Sequence, residues 1–539
     1  MTVSKHILAI MLLSGSFRPV GAALPKTRAE ISEYRQTSSL RDVERFLEEL
    51  QEQKHPISLE YIGNSHLGER IPMVICSRPL VTDPGSAREL GRPVVYVQAN
   101  IHGGEVEGKE AVQMILRDRL SESPSGVLDK IVLLAVPVFN IDGNEALGPQ
   151  QTNRSRQNGP QQVGQRANGQ GLDLNRDYVK LETPEVRGSL QHVFERWDPD
   201  VFIDLHATNG TIHGYQLTYS PPLNPNTEKG VLHFTRDELL PKVREILDRQ
   251  HGLKTFDYGN LLRSGDESAW HTYDPDPRYA TNYVGLRNRI SILSEAMSYL
   301  SFKDRVTATY LFVNAILDQV ASEGARIVEL TRRADLQVTN WGKNPRTAPA
   351  LGVRFERAQH GREGILLEKS DTPGRRPRGS APTAPKQFVT EVMPVFDRFK
   401  PTRTARFPAA YVVGADLTRA VELLQLHGIE VRRLSSDWQG QTEVFVVERI
   451  ERASRLYQGH TRLRLSGRFE LRQSKLSSGD YIVSTAQPLG ILIFQLLEPQ
   501  SADGVATWNF LDPKLQPGRP YPVLKIHTLL TCPTEIVGN

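Results

Sequence analysis

The sequence predicts an α/β fold, a sheet covered by helices on both faces. Three observations predict it. The runs RPVVYVQAN, KIVLLAVPVFN, DVFIDLH and RISILSE are apolar with little alternation, as strands buried on both faces are. Between them lie segments whose apolar residues recur at helical spacing. Three of the four runs stop at residues able to bind a ligand, and in open α/β sheets ligands bind at the carboxyl ends of strands.

The elements follow in chain order. Ser39 precedes Leu40, Val43, Phe46, Leu47 and Leu50, an N-cap followed by one helical face. ISLEYIGNSHLGERIPMVICS is expected to form a β-hairpin turning near 64–69. RPVVYVQAN is a buried strand, broken by HGGEVEG, after which Val112, Ile115, Leu116 and Leu120 mark an amphipathic helix. KIVLLAVPVFN is the next strand, with IDGN expected as a turn and a long polar loop over about 145–171. Thr183 and Pro184 supply an N-cap and first-turn proline for a helix bearing Val186, Leu190, Val193, Phe194 and Trp197, which Asp198 and Pro199 end. DVFIDLH and RISILSE are two further strands, and Val306, Leu311, Ile316, Leu317 and Val320 lie on a closing helix.

The composition shifts after about residue 324. Residues 326–405 are expected as a linker or extension, with TPGRRPRGSAPTAPK (372–386) an exposed linker whose Arg375, Arg376 and Arg378 face solvent. Residues 406–539 are expected as a second, smaller α/β or β-rich domain. AAYVV, LTRAVELLQLHG and IEVRRL give strand, helix and strand; TEVFVVERI and DYIVST give two more strands; LGILIFQLL, between Pro488 and Pro499, gives a buried helix.

Composition limits the function classes. The 539 residues are 39% hydrophobic and 24% charged with a net charge of +4, which excludes wholesale disorder and gives no sign of a nucleic-acid partner. Two cysteines, Cys76 and Cys532, exclude a cysteine-rich scaffold or a multi-cysteine zinc site. Residues 1–23 combine a basic start, an apolar run from Ile7 to Leu13 and the small residues Gly21, Ala22 and Ala23. That three-part pattern predicts a signal peptide and a secreted or periplasmic protein. No later stretch approaches the ~20 apolar residues that a membrane span requires, so no transmembrane span is expected.

The chemistry concentrates at the three polar strand ends. His102 and Glu105 form H-x-x-E in NIHGGEVEG, with Gly103 and Gly104 allowing a tight loop; another strand ends in Asp204, Leu205 and His206; a third ends in Leu293, Ser294 and Glu295. Two imidazoles and one carboxylate suit a catalytic zinc with one position left open for water. His213 is the rival to His206, which is favoured because a strand end holds its side chain more firmly. Glu295, a carboxylate closing an apolar strand, can have the raised pKa a general base needs.

In this order, NIHGGEVEG, FNIDGNE, NRSRQNG, GLDLNRDY, FIDLH and ILSEAMSY resemble the zinc carboxypeptidase (metallocarboxypeptidase, funnelin) family over about 61–324. The resemblance implies a mixed eight-stranded sheet between helices, with one zinc ion per chain at the strand ends. It implies His102, Glu105 and His206 as metal ligands and Glu295 as the base that takes a proton from a zinc-activated water and returns it to the leaving amine. It implies Arg156, with Arg154 close by, as the oxyanion-stabilising cation, Asn175 and Arg176 as the grip on the substrate's terminal carboxylate, and Asp173 as the carboxylate that orients a ligand histidine. Tyr273 matches the tyrosine that covers bound substrate, with Tyr279 and Tyr283 as competitors. The function implied is an exported metallocarboxypeptidase acting on peptides with a free C-terminal carboxylate. The alternatives are a zinc amidase on cell-wall peptides or N-acyl amino acids, and a non-catalytic peptide-binding protein on the same scaffold. Arg278, in PDPRYATNY, is the candidate for selecting an acidic terminal residue.

Overall fold

The computed structural model describes residues 24–122, 125–208, 210–264, 267–369, 387–530 and 532–538. The expected signal peptide at 1–23 and the expected linker at 372–386 lie outside the described residues.

The central sheet is mixed and eight-stranded. Its strands are β1 (Ile57–Asn64), β2 (Arg70–Cys76), β3 (Val94–Ala99), β4 (Val132–Val136), β5 (Val201–Ala207), β6 (Leu217–Ser220), β7 (Thr255–Asp257) and β8 (Ile290–Ala296). They lie in the order β1-β2-β4-β3-β5-β8-β6-β7. β3 pairs in parallel with β4 and β5, β5 with β8, and β6 with β7. β1–β2, β2–β4 and β6–β8 are antiparallel. Alternation along the strands sends opposite faces to different helices. Helix Glu107–Leu120 packs on the face carrying Ala99 and Leu205, so closely that a Cβ on Gly108 would lie 2.9 Å from Leu205 Cβ. On the other face Tyr96 and Phe202 meet Phe194 edge-on. β3 and β5 therefore form the middle of a three-layer stack, and their ends open onto one edge.

The helix Leu40–Glu52 starts as expected, at a capping box in which Ser39 and Asp42 satisfy each other's backbone N–H groups. Two local expectations are corrected. IDGN is a short helix (Ile141–Glu145), because Asn140 Oδ1 accepts the Gly143 N–H at 2.9 Å and caps it. Thr183 does not cap its helix; its hydroxyl donates to Asp177 Oδ2 at 2.6 Å instead, and the helix passes from Pro184–Ser189 into a π-helical stretch, Leu190–Glu195.

Most of 326–405 is regular structure, not linker. Gly324–Lys343 is a helix that buries Ile327, Val328, Thr331, Ala334 and Val338. Strand Phe388–Phe396 pairs with Gly361–Glu368 on one side and, in parallel, with Glu267–His271 on the other, in a four-stranded sheet separate from the central one. Leu351–Ala358 pairs with Arg398–Ala405. These strands carry charged residues along their exposed positions, which lowers the apolar content that signals a strand.

Beyond them lies a seven-stranded sheet whose neighbouring strands are all antiparallel, with helices Thr418–Leu426 and Gly490–Leu497. Its longest pair is Trp438–Arg452 with Leu463–Leu476. This sheet shares its core with the first: one contiguous apolar cluster runs from Val97, Ile203 and Ile292 to Tyr411, Val483 and Trp508. Cys76 and Cys532 are both unpaired.

Candidate active site

The three strand ends converge. Beyond β3 the chain enters a left-handed residue, Asn100 (φ 61°), whose side-chain amide donates to the carbonyls of His102, Gly103 and Glu105 at 3.0–3.3 Å. One side chain thus folds the H-x-x-E loop. The glycines between the donors are there for space rather than for unusual dihedrals. A Cβ on Gly103 would sit 2.2 Å from the Gly143 carbonyl carbon, and one on Gly104 2.8 Å from the Gly164 oxygen.

His102 Nδ1 lies 3.0 Å from Glu105 Oε1, His206 Nδ1 lies 3.0 Å from Glu105 Oε2, and the two Nδ1 atoms are 3.3 Å apart. The far nitrogen of each ring is bound to a carboxylate: His102 Nε2 to Asp173 Oδ1 at 3.0 Å, His206 Nε2 to Asp204 Oδ2 at 2.8 Å. Those carboxylates hold the Nε2 protons, so both Nδ1 lone pairs and a carboxylate face one point. All three residues are buried and offer donor atoms within 4.8 Å of one another. Electron-rich atoms brought together in this way fit a divalent cation, and this donor set is the one zinc takes in open, catalytic sites. The rival His213 is elsewhere, between Tyr215 and Trp270, with burial pushing it down to about 4.

The electrostatics follow from this crowding. Burial alone would raise Glu105, but His102 and Arg154 outweigh it and hold the carboxyl well below its usual range. Burial likewise opposes charge on His206, and Asp204 and Glu105 overcome it, raising that pKa well above the ordinary imidazole value. Glu295, next to His206 in the β5–β8 register, behaves in the opposite way: burial pushes it up to about 8, with Glu105 adding to the rise and His206 opposing it. Among the described residues none hydrogen-bonds its carboxylate.

A cavity of about 440 Å³ opens above the triad, lined by His102, Glu105, His206 and Glu295, by Asp173, Asn175, Arg176 and Arg166, and by Tyr258, Tyr273 and Tyr279. Asn175 is fixed by its Oδ1, which accepts the Ala280 N–H at 2.9 Å. Arg176 does not pair with Asp177, which is bound to Lys180 at 2.8 Å; its guanidinium lies over the Tyr279 ring at 4.3 Å. Tyr273 lines the cavity with its hydroxyl 3.0 Å from Thr281 Oγ1; Tyr279 lines it too, whereas Tyr283 is buried against His427.

Two of the arginine assignments are corrected. Arg156 is not among the residues lining the cavity. Its neighbour Arg154 turns inward, where Glu105 Oε1 (2.8 Å), the Ala207 carbonyl and Ser298 occupy it. The cation that lines the cavity beside the metal donors is Arg166, 3.3 Å from His102 Nδ1, 3.6 Å from Glu105 Oε1 and paired with Asp173 at 2.8 Å. Arg278, the candidate for selecting an acidic terminal residue, is not among the residues lining the cavity: it is buried, bound to Asp276 at 2.6 Å and Asp503 at 3.0 Å. Sequence reasoning also missed Tyr457 and Gln458, which line the cavity from the C-terminal sheet.

The fold and the donor set define a metal-dependent hydrolase of the α/β type, and the comparisons with known proteins name its class. Residues 43–229 match the model of the zinc carboxypeptidase family. Carboxypeptidase 2 of Trichophyton tonsurans is 22% identical over 451 residues, covering 80% of this chain and 76% of that protein. Carboxypeptidase 2 of Trichophyton rubrum is 21% identical over 479 residues, 86% of this chain and 81% of that one. Coverage that wide runs past residue 324 into the C-terminal sheet, beyond the span of the motifs. Among solved structures, a metallo-carboxypeptidase from Burkholderia cenocepacia aligns with 53% of this chain and 70% of its own, at 16% identity and a TM-score of 0.40. Residues 43–229 thus match a zinc carboxypeptidase domain, and with the carboxypeptidase relatives this supports a zinc metallocarboxypeptidase hydrolase.

Proposed function

We propose that the protein removes the C-terminal residue of peptides, with one zinc ion per chain held by His102, Glu105 and His206. The observation that carries this reading is the meeting, in one cavity, of the triad with the half-buried carboxylate of Glu295, which has no hydrogen-bonding partner among the described residues, and a row of side chains able to bind a carboxylate. A zinc ion supplies Lewis acidity and a water acidic enough to ionise near neutral pH. The other roles belong to side chains. Glu295, pushed up to about 8 by burial, takes a proton from the attacking water and returns it to the departing amine. Arg166 faces the carbonyl oxygen on which negative charge builds. Asn175 and Arg176 hold the terminal carboxylate, Arg176 through its planar fork. Asp173 fixes the tautomer of His102, and Tyr273 covers the bound residue.

The test joins metal analysis to a Glu295→Gln variant. The variant is expected to keep one metal per chain and lose about 10³-fold in kcat; full turnover in the variant sinks the reading. Export belongs to the same proposal and rests on the pattern of residues 1–23; a mature chain beginning at Leu24 is the expected result of N-terminal sequencing.

A further inference from the structure

Tyr457 and Gln458 reach the cavity from a part of the chain outside the family motifs, the connection between strands Trp438–Arg452 and Leu463–Leu476. The connection folds back on itself. The Tyr457 N–H donates to the His460 carbonyl at 2.9 Å and the His460 N–H to the Tyr457 carbonyl at 3.1 Å, with Gln458 (φ 51°) and Gly459 (φ 79°) between them. Two consecutive left-handed residues make a type I′ turn. Glycine takes that conformation freely; glutamine does so only where its surroundings hold it.

The surroundings come from the catalytic layer. Gln458 Oε1 accepts the Asp173 N–H at 2.9 Å. His460 Nε2 lies 2.9 Å from Glu182, whose charge raises the histidine's pKa. The Tyr457 ring stacks on Trp508, over which Lys180 also lies. Tyr457 Oη, set in place by these contacts, accepts a hydrogen bond from Arg176 Nε at 3.0 Å. Arg176 Nη1 donates to the Asn175 carbonyl at 2.6 Å. Nη1 also lies 3.9 Å from Asp173 Oδ2. Among the described residues none takes the Nη2 hydrogens, so the guanidinium is anchored through Nε and Nη1 and open at Nη2.

We propose that the turn 457–460 completes the substrate site, with Tyr457 as the positioning residue that aims the open Nη2 end of Arg176 at a peptide's terminal carboxylate. The inference rests on the reading of Arg176 as part of that grip. A rotating guanidinium would still attract an anion, but a fixed one binds it in a single geometry and loses less freedom on binding.

The test is Tyr457→Phe, which removes the hydroxyl and keeps the ring on Trp508. With an N-acylated dipeptide as substrate, KM is expected to rise about tenfold, the scale of a hydrogen bond to a charged group, with kcat little changed and the melting temperature preserved. Binding gives an independent readout. In a Glu295→Gln background, calorimetry compares the same dipeptide with its C-terminal amide: Tyr457→Phe should weaken the carboxylate form about tenfold and leave the amide unchanged. Equal losses for both ligands, or no loss for either, overturn the proposal. If the wild-type protein fails to release a C-terminal residue while the carboxylate-specific loss in binding is still seen, the proposed activity is wrong and the role of Tyr457 stands.

Discussion

The cavity and the seam between the two sheets are both buried and rich in ionisable groups, yet they are built on opposite principles. At the seam the buried ion pairs are matched. Arg278 lies between Asp276 and Asp503, and Asp503 also accepts from the Trp508 indole at 2.8 Å. His427 is held neutral, its Nδ1 2.8 Å from the Tyr283 hydroxyl and its Nε2 3.1 Å from the Val179 carbonyl. In the cavity Arg154 and Arg166 pair with Glu105 and Asp173, but the two imidazole Nδ1 atoms crowd against Glu105, and Glu295 has no hydrogen-bonding partner for its carboxylate among the described residues. Polar burial alone therefore does not mark a site. What distinguishes this one is a local excess of electron pairs that the chain's own groups do not fully satisfy.

Three substitutions bear on that contrast. The largest effect is expected in the cavity, where Arg166→Ala should lower kcat by about 10²–10³-fold, the scale for losing one preorganised donor, with the metal content unchanged. Equal activity would mean that the oxyanion is held by some other group. At the seam, Asp503→Asn leaves Arg278 with a single carboxylate and should reduce unfolding free energy by about 3 kcal/mol. Denaturant titration checks this, and the surviving folded enzyme should keep its kcat.

The smallest effect concerns pH. Burial pushes His427 down to about 3, so the folded state resists protonation while the unfolded chain titrates normally. Stability is then full above the unfolded value of ~6.5 and falls as the pH drops towards the folded one, by about 2 kcal/mol between pH 6.5 and pH 5. His427→Gln should flatten that slope, and an unchanged slope would assign the acid sensitivity to other groups.

How far the sequence was legible follows from the same physics. The strands carrying the donors are unbroken apolar runs, and a run that ends in His or Glu advertises both the strand and its terminus. Hence β3, β5, β8 and the triad could be read directly. Arg166 was hidden because the loop 145–171 has no periodicity and holds three arginines, so spacing could not separate the one at the cavity from the one that braces Glu105. The structure of 326–405 was masked by charges on the exposed faces of its strands. Tyr457 lies 281 residues from Arg176, and no local pattern reports a contact over that distance.

The turn at 457–460 also sets an order of events during synthesis. A chain emerging from the ribosome has His102, Glu105 and His206 long before it has Tyr457, and the hydroxyl that steadies Arg176 arrives only after three of the second sheet's seven strands have been made. The metal donors are therefore all present on a partial chain, whereas the carboxylate grip waits for the last fifth of the polypeptide.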